Sequence, residues 1–137
     1  MQIKLKNNCP CGSTITLLEC CYPIIINPKK ATTATELMRS RYTAYSLQNV
    51  KHILKTMTGK SKEQSNSKNI KAFAKQSKFL KLEIIKTEQG GENDSIGIVE
   101  FKATYENAKK TCIIHEISLF KKIAGKWLYC DDLSKPK

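Results

Sequence analysis

At 137 residues, with 40% hydrophobic and 26% charged side chains, the chain is the size of one ordinary domain with room for a small appended knob, and is too apolar to be disordered. Its 24 Lys and Arg against 12 Asp and Glu leave a net charge of +12, which favours acidic partners: an acidic protein surface, nucleic acid or anionic lipid. The excess is lysine spread along the chain, with arginine only at Arg39 and Arg41, so the charge is a diffuse field rather than a set for bidentate phosphate or base readout.

The start, Met1 to Asn7, lacks the apolar region of a secretory signal. No stretch approaches the roughly 20 apolar residues of a membrane span. The chain is therefore expected in the reducing cytoplasm, where paired cysteines read as metal ligands or redox groups rather than structural disulfides. Residues 1–28 form a cysteine segment closed by Pro23 and Pro28. In it Cys9-Pro10-Cys11-Gly12-Ser13 is followed, after eight residues counted from Cys11, by Cys20-Cys21. Two close-set pairs can deliver four thiolates to one tetrahedral zinc, and a four-cysteine site is closed and structural, with no position left for substrate or water. Cys20 and Cys21, being adjacent, converge on one ion only where the chain turns, as at the start of a short helix. A knob this small has little core of its own, and metal binding would supply folding free energy on the order of 10 kcal/mol. No C-x-x-C favours a redox reading.

The remaining residues, 29–137, read as helices followed by strands. Thr33, three before Glu36, predicts a capped helix start, with Ala34, Leu37, Met38, Tyr42 and Tyr45 as its core stripe. Asn49 caps a second helix with Val50, Ile53, Leu54 and Met57 on its apolar face, Gly59 suits its end, and His52 reads as solvent-facing. Lys60 to Asn69 reads as a mobile loop, with Ser67 capping a third helix that turns Ile70, Phe73 and Ala74 inward. From Phe79 the period becomes two. Leu80, Leu82 and Ile84 alternate with charge, Gly90 to Asp94 is turn chemistry, and Gly97, Val99, Phe101, Ala103 and Tyr105 form the buried face of a strand. Thr111 to Phe120 and Trp127 to Asp131 supply two further strands, joined by turns at Asn107-Ala108-Lys109 and Ile123-Ala124-Gly125-Lys126. Helices and then a meander of about four strands indicate α+β, a curved antiparallel sheet with helices on one face.

Among the chemistry-bearing residues outside the cysteine segment, Cys112 and Cys130 read as small buried apolar groups in strands. His115 and Glu116 are candidates for acid–base work, but neighbours in a strand point to opposite faces. Glu116 shares its face with Cys112, Ile114, Ser118 and Phe120, and His115 with Ile113, Ile117 and Leu119. Asp131 is a further candidate on a face with Trp127 and Tyr129, and Arg39 or Arg41 can pair with such a carboxylate, as a core-locking ion pair or a ligand clamp.

Taken together, these segments resemble a known family. Cys9-Pro10-Cys11-Gly12-Ser13 with Cys20-Cys21 resembles the SEC-C motif, named for the zinc-binding tail of the SecA translocation ATPase. Leu37-Met38-Arg39-Ser40-Arg41-Tyr42-Thr43-Ala44-Tyr45, the strand Gly97 to Tyr105, His115-Glu116-Ile117-Ser118-Leu119-Phe120, and Gly125-Lys126-Trp127-Leu128-Tyr129 with Asp131 are similar, in order, to the signature segments of YchJ-like bacterial proteins. The resemblance implies a SEC-C zinc knob on a cone-shaped α+β domain like nuclear transport factor 2 and the cystatin-like folds. It also implies an export- or translation-related protein partner, since in SecA the motif contacts the chaperone SecB. This chain departs from the motif at Thr14 to Glu19, where the basic continuation is missing, and from the family pattern at Asp132, where glycine is usual after the last strand.

Three readings follow. The first is a non-enzymatic zinc-binding adaptor with a basic surface for an acidic protein. The second is a small-ligand binder or enzyme using the cone's interior, with Glu116, His115, Asp131 and Arg41 as candidates. The third is a nucleic-acid binder acting through charge alone. An interior filled by Phe101, Phe120 and Trp127 would remove the second.

Overall fold

The computed structural model describes residues 4–26 and 29–135. Pro28, expected to close the cysteine segment, and the last two residues of the polar tail lie outside the described residues. Among the described residues five helices precede four strands: α1 (Tyr22–Ile26), α2 (Ala34–Ser46), α3 (Val50–Lys55), α4 (Gly59–Glu63), α5 (Ser67–Gln76), β1 (Ser77–Gln89), β2 (Ile96–Asn107), β3 (Lys110–Ile123) and β4 (Lys126–Asp132). The strands form one antiparallel sheet in the order β1-β2-β3-β4, and the helices cover one face of it, so the expected α+β architecture holds.

Helix α2 is the central element. Thr33 caps it, its side chain accepting from the Glu36 amide, while Glu36 reaches back to Thr32 rather than to Thr33. Of the expected stripe, Ala34, Leu37, Met38 and Tyr42 are buried and Tyr45 is half-buried. Ser40, Arg41, Thr43 and Ala44 are buried as well, because α3 and the cysteine segment cover further sides of the helix. One buried cluster runs from Cys9, Cys11, Leu17 and Cys21 through α2 to Val99, Phe101, Phe120 and Trp127 on the sheet. The cysteine segment thus shares its core with the rest of the fold.

The sheet is long-stranded and irregular where it bends. Register shifts interrupt the β1–β2 pairing between Phe79 and Lys81 and between Ile84 and Lys86, and the β3–β4 pairing after Leu119. An extra residue in one strand bends it and re-aims the side chains beyond it. For that reason Leu80 does not join Leu82 on the inner face as its spacing predicts. It is 47% exposed, and Phe79 packs against Tyr42, Tyr45, Phe73 and Tyr105 in its place.

Three local expectations are corrected. Asn49 does cap α3 through the His52 amide, but α3 ends at Lys55, and Gly59 opens α4 instead of closing α3. The loop expected over Lys60 to Asn69 is largely helical, because the Ser61 hydroxyl anchors α4 on the carbonyls of Thr58 and Tyr129 and Asn66, not Ser67, caps α5. His52, read as solvent-facing, is 2% exposed, held against α2 through Ser40.

Candidate metal centre and interior cavity

The cysteine segment folds as a tight loop followed by a helical turn. Gly12, at φ +84°, lets the chain double back, so that the Gly12 amide donates to Cys9 and the Cys9 amide to Ile15. Cys20 and Cys21 then sit on the turn that leads into α1, with the Ile24 and Ile25 amides donating to the Cys21 carbonyl. The four Sγ atoms of Cys9, Cys11, Cys20 and Cys21 lie within 4.8 Å of one another. Cys11 Sγ is 3.7 Å and Cys21 Sγ 3.9 Å from Cys20 Sγ. Sulfurs at about 2.3 Å from one tetrahedral ion stand about 3.8 Å apart, so the donor set fits a metal ion of thiolate preference.

Electrostatics point the same way. Cys11, approached by the thiols of Cys21 and Cys9, is held far below the usual thiol range; Cys21, whose thiol donates to Cys11, is held far above it; and burial pushes Cys20 up to about 11. A bound cation favours the thiolate form of sulfurs packed this closely. Ser13 Oγ lies 3.0 Å from Cys20 Sγ, Thr43 Oγ1 lies 3.5 Å from Cys9 Sγ, and Arg39 donates to the Cys11 carbonyl at 2.8 Å. The first of these contacts is local in sequence and the other two come from α2. Nothing in the spacing around Thr43 marked it as a partner of the cluster.

The other candidates separate. His115 lies on the outer sheet face, 2.6 Å from Glu100, and takes no part in the interior. Glu116 points the opposite way, as strand alternation requires, into the space between sheet and helices. Its Oε2 accepts from the Ser118 hydroxyl at 2.5 Å and from the Tyr129 hydroxyl at 2.7 Å. Burial raises the Glu116 carboxyl above the usual range against the pull of those two donors. Arg41 lies beside it, 5% exposed, with Nη1 donating to the Ile53 carbonyl and to Thr56 Oγ1, and with its guanidinium carbon 4.8 Å from the centre of the Tyr129 ring. Desolvation lowers its pKa. The ion pairs among the described residues join Lys81 to Glu83, Lys86 to Glu88 and His115 to Glu100, so the expected pairing of an arginine with Asp131 or Glu116 does not form. Asp131 stands at the rim of an outer cleft of about 450 Å³, with Asn69 and Lys135.

Phe101, Phe120 and Trp127 are buried, yet they do not fill the interior. A cavity of about 140 Å³ remains, with Arg41, Glu116, Ser118 and Tyr129 on its wall among aromatic side chains. Tyr45, Phe73 and Tyr129 line both this cavity and the outer cleft. In the sequence Ser118 and Tyr129 stand only as face neighbours of Glu116 and Asp131, not as site candidates. The spacing of two between Glu116 and Ser118 carried the first, whereas Tyr129 arrives from β4.

No helix of the described residues is long and apolar enough to cross a membrane. Known proteins are similar to this chain in fold and in sequence. A UPF0225 protein of Geobacter sulfurreducens is 36% identical over 127 residues, covering 93% of this chain and 79% of that one. The solution structure of a SEC-C motif containing protein from Rhodopseudomonas palustris superposes with a TM-score of 0.84 at 30% identity, over 95% of this chain and 100% of that one. A crystal structure of a SEC-C motif containing protein from Psychrobacter arcticus gives 0.80 at 26% identity, over 100% of this chain and 87% of that one. Residues 33–132 match the family described as "YchJ, middle NTF2-like domain", and the chain therefore belongs to the YchJ family.

Proposed function

We propose that this chain is a zinc-binding adaptor, in which a structural zinc on Cys9, Cys11, Cys20 and Cys21 orders the N-terminal segment for an acidic protein partner of export or translation. The convergence of four sulfurs at tetrahedral spacing carries this reading, because a site closed by four thiolates leaves no coordination position for catalysis. Two further observations support a binding role. The net charge of +12 provides a long-range field for an acidic surface. Leu5, Ile15 and Leu18 of the cysteine segment are 38–49% exposed, and Leu5 and Leu18 are joined by a backbone hydrogen bond. Exposed aliphatic side chains in a segment that also carries Lys4 and Lys6 suit a protein contact more than a nucleic-acid one.

The test has two parts. Elemental analysis of protein purified under reducing conditions is expected to give one zinc per chain, with Cys20→Ser losing it. Capture from reduced bacterial lysate, at low and moderate salt, is expected to retain an acidic protein on the wild type only. A Cys20→Ser chain that keeps fold and partner without metal overturns the reading. Recovery of nucleic acid alone, released by modest salt without sequence preference, means that charge acts by itself.

A further inference from the structure

The interior cavity is built differently from a gap in a core. Arg41 uses Nη1 for the protein, and among the described residues Nε and Nη2 have no hydrogen-bond partner. Glu116 commits Oε2 to Ser118 and Tyr129, and Oε1 accepts nothing from the described residues. His52 Nδ1 is the one fully enclosed side-chain nitrogen or oxygen among the described residues that lacks a partner. The free atoms of Arg41 and Glu116 are therefore not sealed in protein. Both side chains line the same cavity, with aromatic rings around them. A buried cation and a half-buried carboxylate that do not pair with each other leave one set of donors and one acceptor to be satisfied. The two charges cancel, so an anion gains from Arg41 and loses at Glu116, and a cation does the reverse. A neutral group with an acceptor beside a donor satisfies both without adding charge to a low-dielectric site. A volume of about 140 Å³ admits one small ring, since a cavity of about 150 Å³ accommodates benzene.

We propose that this cavity binds a small, neutral, planar ligand of carboxamide or lactam type, its carbonyl on the Arg41 guanidinium and its N–H on Glu116 Oε1, with its apolar part against Phe79 and Phe101. The site does not involve the cysteines, so it stands or falls apart from the adaptor reading. Tyr129 is its positioning residue, donating to Glu116 and stacking on Arg41.

Three probes of one shape separate the possibilities in metal-loaded protein: benzamide, benzoate and benzamidinium, followed by ligand-observed NMR and calorimetry at neutral pH. Benzamide is expected to bind at least about tenfold more tightly than either charged probe, the cost of leaving one buried polar partner unsatisfied. In Glu116→Gln, which keeps the shape and removes the negative charge, the preference is expected to pass to benzoate. A merely structural Glu116 would lower stability without changing that order. Benzoate or benzamidinium ahead on the wild type overturns the assignment, as does the absence of binding by all three. Should the Glu116→Gln chain not fold, the order of the three probes on the wild type decides alone.

Discussion

The Arg39 guanidinium donates to the Cys11 carbonyl at 2.8 Å, so that the same turn of α2 that sends Arg41 into the interior cavity sends Arg39 out to fasten the cysteine loop. Together with Thr43 against Cys9, this ties the metal-ligand segment to the sheet-bearing part of the fold at two points outside the ligands. Removing a charged donor from a carbonyl costs about 1–2 kcal/mol where the site is half-buried. Arg39→Ala is expected to lower the melting temperature by about 3–6 °C and to speed zinc extraction by a chelator several-fold, while leaving one zinc bound per chain. Unchanged extraction kinetics would mean that the loop is held by its sulfurs alone.

Gly97 sits where β2 passes under the start of α2. A Cβ built there would lie 2.6 Å from Gly90 Cα and 2.8 Å from Ala34 Cβ, and the Ala34 amide already donates to the Gly90 carbonyl at 2.9 Å. Backbone cannot swing aside as a flexible side chain can, so Gly97→Ala must displace the N-terminus of α2 from the sheet, at a cost of about 2–3 kcal/mol. Gly125→Ala is the control: its Cβ meets nothing within 4 Å, and the loss is confined to a strained backbone at φ +78°, about 1–2 kcal/mol. Urea titrations should place Gly97→Ala below Gly125→Ala in stability; the reverse order would show that the close approach at Gly97 relaxes freely.

The β2–β3 hairpin turns at Ala108 and Lys109, both at positive φ, between the paired residues Asn107 and Lys110. A two-residue turn of this kind follows the twist of the strands but favours Asn and Gly in place of side chains that resist the left-handed region. The double substitution Ala108→Asn with Lys109→Gly is expected to stabilise the fold by about 1 kcal/mol, read as a rise of a few degrees in thermal melting with no change in zinc content. A fall would place the loop in a contact that its backbone geometry does not reveal.

What could be read from the sequence was what neighbouring residues decide among themselves. The Cys9–Cys11 and Cys20–Cys21 pairs announce a ligand set because the donors lie close along the chain, and the caps at Thr33 and Asn49 are set by bonds to amides three residues on. The alternation that sends Glu116 inward and His115 outward is equally local. The features that were not legible depend on distant partners. Leu80 obeys a period of two until a register shift turns it outward. Lys60 to Glu63 has no helical signature and is held as α4 through Ser61 on the Tyr129 carbonyl. Arg41 meets Tyr129 and Glu116 only once α2 has packed on the sheet, so the cavity's chemistry was present as candidates without a meeting place.

His52 shows the same dependence and sets the acid sensitivity of the fold. The Ser40 hydroxyl donates to the Leu37 carbonyl, so His52 Nε2 carries the proton that it donates to Ser40 at 2.9 Å, and Nδ1 is left without a donor. Burial, with Arg41 and Lys55 nearby, depresses its pKa from 6.5 to about 4. In the unfolded chain the same imidazole takes up a proton near its ordinary value. Between pH 6.5 and 4 the unfolded state therefore binds more protons, and stability falls as pH falls through that window. The loss amounts to about 3 kcal/mol once pH is below the folded value. Glu116 opposes it, since its raised folded value lets the native state gain the proton first, and protonation of the cysteine sulfurs adds to the loss in zinc-loaded protein. The difference between wild type and His52→Gln isolates the histidine, because glutamine can still donate to Ser40 and does not titrate. The two stability curves should diverge steadily from pH 6.5 down to 4, the variant declining less. Parallel curves across that window would show that His52 is protonated in the folded state, with Nδ1 finding an acceptor on protonation.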